Sequence, residues 1–340
     1  MSRLLVRLGS MGDVILATAA ATAWFNKCGA PVDFLVKEEW SPLLANHPAI
    51  RRVIPLKDED RGTAGLRRLA ERLRENQYEE AVDLQGSTRS RSLIRLAGIP
   101  SVRRASRASL RRKLLVHFHR FGPPPSHRVV DTFVHAVDPF ATATPSVVPG
   151  ADIEAEAERF LGPGAPVVAL VPGAKHMTKR WPVLNFIALG QTLAEKHRVL
   201  VFFGPGEDEL EKTWRSEWPE GWVGVREPLA MVSGLLKASS VTVTGDTGLM
   251  HLSAAVGTPV VALFGPTVEA FGFFPSGPNH EIIQRSLACR PCSLHGGSRC
   301  PKEHFRCMRD ISHQDVWNAV QRRLGPKPKE SRHTSSASRR

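Results

Sequence analysis

The chain has 340 residues, 42% of them hydrophobic and 23% charged, and a formal net charge of +13. That length suits two domains, and the composition is globular, which excludes collagen-like, disordered and disulfide-stapled classes. No apolar run approaches the ~18 residues of a membrane span, so any membrane contact is expected to be peripheral.

Residues 4–8 alternate apolar and basic side chains and read as a strand. The stretch LGSMGDVILATAA follows at 8–20, and residues 14–25 read as a buried helix ended by Gly29. A secretory signal needs an uninterrupted apolar core after its basic start. Here Gly9 to Asp13 break the run, which favours a glycine turn opening a helix. Asp13 is then either a helix-dipole carboxylate, worth ~0.3–1 kcal/mol, or a functional one. Strands are expected at 32–36, 53–56 and 81–84, with an amphipathic helix at 66–73.

Between Asp83 and Asp131 lie eleven Lys and Arg and no acid. Residues 1–150 carry 23 Lys and Arg against 14 Asp and Glu, and the remainder 23 against 19. A one-sign stretch of this kind is either a solvated surface or faces an anionic partner. It lacks interleaved aromatics and no nucleic-acid module is legible, so nucleic acid is not expected as a partner. Proline-rich residues 122–126 mark a surface loop, and 141–151 have the character of an interdomain connection.

The alternation then restarts, with helices at 151–160, 183–195, 208–214, 229–237, 249–255 and 315–324. Strands fall at 166–171, 199–203, 241–244 and Val260–Phe264, and residues 325–340 form a basic tail expected to be disordered. Short apolar runs separated by helices imply parallel sheets covered on both faces. The expectation is α/β: two doubly wound, Rossmann-like halves, residues 1–150 and 151–324, facing a cleft lined by the carboxyl ends of the strands.

Four segments could carry chemistry. Gly9-Ser10-Met11-Gly12-Asp13 is not G-x-G-x-x-G and has no acid placed to hold a ribose, which disfavours a dinucleotide dehydrogenase. VPGAKHMTKRWP at 171–182 puts Lys175, His176, Lys179 and Arg180 after a strand, where they suit a diphosphate or form a solvated basic loop. In FFGPGEDE, 202–209, Glu207 could accept from sugar hydroxyls or be a first-turn helix acid. In VTVTGDTGLMHLSAAVGTPVVALFGPT, 241–267, Gly248 bares N–H groups to an anion and Thr247 adds a hydroxyl. Asp246 and His251 lie near the same helix N-terminus. The five cysteines fit a reducing compartment. Cys289, Cys292, Cys300 and Cys307, spaced C-x2-C-x7-C-x6-C, could hold a structural zinc, with His295 and His304 as further ligand candidates, or be free or redox-paired thiols.

Taken together, GSMGDV, DLQGSTRSRSLIRLAG (83–98), KRWP (179–182) and GDTGLMHLSAAVGTPVVALFGPT (245–267) closely resemble the bacterial ADP-heptose:lipopolysaccharide heptosyltransferases of glycosyltransferase family 9. The resemblance runs from residue 1 to about 324, and the Cys-x2-Cys segment followed by CMRDIS is similar to heptosyltransferase II-type members. It implies a metal-independent, inverting transferase of GT-B fold that needs no cofactor for catalysis. The N-terminal half would take the acidic, Kdo-containing inner core of lipid A, with or without a first heptose. The C-terminal half would take ADP-L-glycero-D-manno-heptose. Such an enzyme would be cytoplasmic, peripheral on the anionic inner-membrane face.

By motif, Asp13 corresponds to the family's catalytic carboxylate. Lys179, Glu207, Asp246, Thr247, Gly248 and His251 correspond to the donor site, with Glu209 as the alternative to Glu207. Ser10, Gln85, Gly86 and Arg89 fall on the acceptor side, and the arginine-rich residues 89–113 fit an acceptor bearing carboxylates and phosphates. The alternatives are a family 9 transferase with another donor or acceptor sugar, and a non-catalytic lipid-surface protein of the same fold.

Overall fold

In the N-terminal half, five runs pair in parallel as β1 (Arg3–Val6), β2 (Val32–Lys37), β3 (Ile50–Leu56), β4 (Glu80–Asp83) and β5 (Ser101–Arg104). Their order is β3-β2-β1-β4-β5. The helices between and after them are α1 (Met11–Cys28), α2 (Gly62–Arg74), α3 (Thr88–Leu96), α4 (Ser109–Phe118) and α5 (Val129–His135). This computed structural model describes residues 2–324 except 107, 108, 120, 121, 123, 125, 126, 216, 217 and 220. The tail expected at 325–340 and part of the proline-rich loop lie outside the described residues.

The C-terminal half repeats the plan with β6 (Val167–Val171), β7 (Arg198–Phe202), β8 (Val223–Val225), β9 (Val241–Gly245), β10 (Val260–Phe264) and β11 (His280–Gln284). These are also parallel, in the order β11-β10-β9-β6-β7-β8. Around them lie α6 (Ala151–Leu161), α7 (Val183–Ala194), α8 (Asp208–Arg215), α9 (Leu229–Ala238), α10 (Gly248–Ala255), α11 (Arg306–Arg309) and α12 (His313–Arg323). β6, β9 and β10 are buried at every residue, as apolar strands covered on both faces must be.

Each sheet reverses its winding once, between β1 and β4 and again between β6 and β9. Ligands bind in open α/β sheets at such reversals, outside the carboxyl ends of the strands. All the motifs singled out above except the Glu207 turn and the cysteine cluster sit there. GSMGD follows β1 and DLQG closes β4; the Lys179 loop follows β6 and GDTG follows β9.

α1 is alanine-rich because it is enclosed nearly all round, from Gly12 to Trp24. It ends where Gly29 takes a left-handed conformation (φ 67°) and donates to Phe25 O at 2.7 Å. Ile15 of α1 and Leu43 pack in one cluster with Val147, Leu252 and Ala255, so the two halves share apolar contact. The segment joining them is tied to both: Ser146 N donates to Thr18 Oγ1 (2.9 Å) and Val147 N to Ala255 O (3.0 Å).

The strand expected to run to residue 8 ends at Val6, because Leu8 N donates to Gln85 Oε1 (3.1 Å) instead of to a neighbouring strand. Elements absent from the sequence reading are α3, β5, α4 and α5 in the arginine-rich region, and β8, β11 and α11 in the second half.

Candidate active site between the two halves

Asp13 enters the cleft from the first turn of α1. Ser10 is the helix N-cap in extended conformation, yet its hydroxyl donates to Asp13 Oδ2 (3.1 Å) rather than capping the backbone. Arg7 Nη2 lies 2.6 Å from the same oxygen, and Arg7 Nη1 donates to Leu84 O at 2.8 Å. The Arg7 guanidinium also stands over the Phe133 ring, 5.3 Å from its centroid. A planar fork held at three points orients the carboxylate it pairs with.

The DLQG turn is built on buried Asp83. Its Oδ1 accepts from Gln85 N (3.0 Å) and Gly86 N (2.7 Å), and its Oδ2 from Ser90 Oγ (3.0 Å). Gly86 has φ 56°, a conformation that favours glycine. Gln85, bonded to Leu8 N, stitches this turn to the one carrying Asp13. Arg89 is exposed on the first turn of α3.

Across the cleft, Lys179 Nζ pairs with Asp246 Oδ2 at 2.6 Å, and Thr267 Oγ1 donates to the same oxygen at 2.8 Å. Gly245 is required beneath this pair, since a Cβ there would come within 2.6 Å of Lys179 O. Thr247 caps α10, accepting from Met250 N (3.4 Å), with Thr244 Oγ1 3.1 Å from its hydroxyl. The Thr247 hydroxyl is therefore engaged in ordering the turn as well as facing the cleft end of β9.

Of the four cations after β6, only Lys179 reaches this cluster through an ion pair. Lys175 is exposed, and Arg180 Nε donates to Ala174 O at 2.9 Å. Buried Trp181, bonded through Nε1 to Ile311 O (2.9 Å), anchors the loop. Glu207 curls back to accept from Gly204 N at 2.7 Å, its carboxylate filling the space beside Gly173. Glu209 is exposed on α8, so Glu207 is the carboxylate that faces the strand ends.

His251 joins the halves. It is buried, and a Cβ on Gly12 would come within 2.7 Å of its Cδ2, so α1 and α10 meet where α1 lacks a side chain. Burial holds its imidazole below the ordinary histidine range, opposed by Asp246 and Asp13 and reinforced by Lys179. One neutral imidazole thus lies within electrostatic reach of the charged groups of both turns.

The cysteine segment buttresses the C-terminal cluster. Thr178 and Gly297 exchange hydrogen bonds (Thr178 N to Gly297 O 3.1 Å; Gly297 N to Thr178 Oγ1 2.8 Å). Arg290 Nη2 donates to Thr267 O (2.7 Å). All four thiols are free. Burial and the neighbouring thiols push Cys292 up, and the same effects push Cys307 up to about 11. His304 Nε2 lies 3.8 Å from Cys289 Sγ. Among the described residues no three His, Cys, Asp or Glu side chains are grouped as a metal-holding set.

Three functional neighbours escaped the sequence reading: Arg7, Asp83 and Thr267. Arg7 carried only an alternation signal, whereas Asp83 and Thr267 stood inside noted motifs as turn residues.

Two Rossmann-type halves, with a held carboxylate on one side of the joint and a cation–carboxylate cluster on the other, have the arrangement of the GT-B fold. Residues 66–302 match Glycosyltransferase family 9 (heptosyltransferase), and the chain belongs to that family. Lipopolysaccharide heptosyltransferase 1 of Pseudomonas aeruginosa is 29% identical over 329 residues, covering 92% of this chain and 91% of that protein. Lipopolysaccharide heptosyltransferase 2 of Escherichia coli K12 is 27% identical over 269 residues, covering 71% and 76%. The solved E. coli ADP-heptose heptosyltransferase II superimposes with TM-score 0.76 at 21% identity, covering 95% of this chain and 98% of that one. A family 9 glycosyltransferase from Veillonella parvula gives 0.80 at 16% identity, covering 95% and 97%.

Proposed function

We propose that this enzyme transfers L-glycero-D-manno-heptose from ADP-heptose to the Kdo- or heptose-bearing inner core of lipopolysaccharide, with inversion and without a catalytic metal. The observation that carries the reading is the meeting of Asp13 with Lys179, Asp246 and His251 at one joint between the halves. Asp13 takes the proton of the acceptor hydroxyl as it attacks the anomeric carbon. Arg7 and Ser10 bind one carboxylate oxygen, Oδ2, and so aim the other at the acceptor.

The leaving group is already an anionic diphosphate, so it needs fixed positive groups rather than a protonating acid. Lys179 and the N–H groups at the start of α10, bared at Gly248, supply them, and Asp246 keeps Lys179 extended. Glu207 accepts from the ribose hydroxyls. Ser10, Gln85, Gly86 and Arg89 lie on the acceptor side, and the exposed cations Arg91, Arg95, Arg111 and Lys113 face the anionic inner membrane from the cytoplasm. No helix among the described residues is long and apolar enough to cross a membrane. The named relatives act on lipopolysaccharide, and a structural neighbour, an E. coli heptosyltransferase, has been solved with ADP and with ADP-2-deoxy-2-fluoro heptose.

Mass spectrometry of the product tests this directly. Purified enzyme is given ADP-heptose with Kdo-lipid A, and separately with heptosyl-Kdo-lipid A, each with and without chelator. One added heptose on one acceptor, formed equally in chelator, is expected. No transfer to either acceptor overturns the substrate reading, and loss of transfer in chelator overturns metal independence.

A further inference from the structure

Met11 opens α1 two residues before Asp13 and plays no part in the chemistry above. Its side chain crosses the joint to the other half. A Cβ built on Gly248 would come within 2.2 Å of Met11 Cε, 3.3 Å of its Cβ and 3.4 Å of its Sδ. The thioether therefore lies along the space that Gly248 leaves open. Gly248 is the first residue of α10, directly after the Thr247 cap and two residues after Asp246, the partner of Lys179. The first turn of α10, whose N–H groups hold the leaving diphosphate in the reading above, is thus flanked by an apolar side chain from the half that carries Asp13.

Met11 does not stand alone there. Ile15, one turn further along α1, is fully buried in one cluster with Leu43, Val147, Leu252 and Ala255. Met11 and Leu249 are partly buried members packed against that cluster. Gly12 is pressed against the buried His251 ring beside them. The seam between the halves is apolar from the connecting segment to the cleft, and Met11 is where it ends, next to Ser10 and close to Asp13.

A carboxylate that takes a proton from an acceptor hydroxyl can also take one from water. In that side reaction a water oxygen bonds to the anomeric carbon and the bond from that carbon to the diphosphate oxygen breaks. The water proton passes to Asp13, and ADP and free heptose leave. Suppressing it requires the space beside the base and the anomeric carbon to be dry. A thioether is only a weak hydrogen-bond acceptor, and its rotatable bonds let it follow the shape of a bound sugar. Glycine at 248 serves the same end, since a side chain there would drive the thioether out. We infer that Met11 seals the seam between the catalytic carboxylate and the diphosphate cradle, so that transfer to the acceptor outruns hydrolysis of the donor. This rests on the transferase reading above.

The test is the ratio of ADP released to heptosylated product formed, for wild type, Met11→Leu, Met11→Ala and Met11→Gln, with thermal melting of each. ADP release is also measured without acceptor in oxygen-labelled water. Wild type and Met11→Leu are expected to release one ADP per product. Met11→Ala, and Met11→Gln, which keeps the length but binds water, should hydrolyse ADP-heptose about ten-fold or more faster than wild type. Label should appear in the freed heptose, and ADP should exceed product. An unchanged ratio in Met11→Gln, or in a folded Met11→Ala, overturns the inference, as does an equal rise in Met11→Leu. Slower transfer without faster hydrolysis marks a merely structural side chain and overturns it too. Heptosylated product from the wild type stands or falls separately, and it reports on the transferase reading itself.

Discussion

Asp13 and Lys179 are each held by an opposite charge before any substrate arrives. Arg7 sits 2.6 Å from Asp13 and Asp246 sits 2.6 Å from Lys179, with all four side chains less than one-fifth exposed. Such pairs contribute little net stability, because desolvation offsets most of the attraction. Their use here is direction: each fixes where a reacting or binding group points, so little reorganisation is left for the moment of transfer. Replacing Lys179 by Met should therefore weaken ADP and ADP-heptose binding together, by about ten-fold or more, while acceptor KM stays near wild type. Calorimetric titration with both ligands checks this, and unchanged affinity for either contradicts the phosphate role. At this scale the motifs pointed to the residues that the fold gathers where the halves meet, since Asp13, Lys179, Asp246 and His251 stand in recognisable local turns. They did not reveal the partners. Arg7 reaches Leu84 and Phe133, contacts that only the folded chain brings together.

The elements were most legible where burial made the pattern one-sided. β10 spans Val260–Phe264 as the apolar run predicts, and α1 was recognisable as an enclosed helix. The misses have physical reasons. β8 is three residues long, β11 is an edge strand carrying His280 and Glu281, and α3 is a polar helix whose capping box reads locally as a turn. The connection at 141–151, read as joining the two halves, is pinned by a buried histidine. His47 Nε2 lies 3.0 Å from Ser146 Oγ, and its Nδ1 accepts from Ala49 N at 3.2 Å. Burial lowers the His47 pKa to about 4, so the folded protein keeps this ring neutral where the unfolded chain protonates it. Its stabilising share is complete above the unfolded value near 6.5 and is lost as pH falls toward 4. Between pH 7 and pH 5 that loss is about 2 kcal/mol at roughly 1.4 kcal/mol per unit. Denaturant unfolding at the two pH values should show wild type losing about 2 kcal/mol more than His47→Gln. Equal losses would mean that the ring is not kept neutral.

For the whole molecule, the two winding reversals place the turns carrying Asp13, Gln85, Lys179 and Asp246 on facing edges, and the contacts of α1 with α10 decide how closely those edges approach. Gly12 against His251, and Gly248 against Met11, are reciprocal: each half offers a glycine where the other offers a side chain. On the proposed reading the two sheets divide the labour, with acceptor activation on the first and leaving-group stabilisation on the second. That division is the central claim, and Asp13→Asn tests it most directly. The variant keeps the shape of the side chain and removes its ability to take a proton. The single-turnover rate of heptose transfer and the equilibrium affinity for ADP-heptose should be measured on the same preparation. The account predicts a rate lower by about 10²–10⁴-fold with donor affinity unchanged. Near-normal turnover, or a loss of donor affinity as large as the loss of rate, would contradict it.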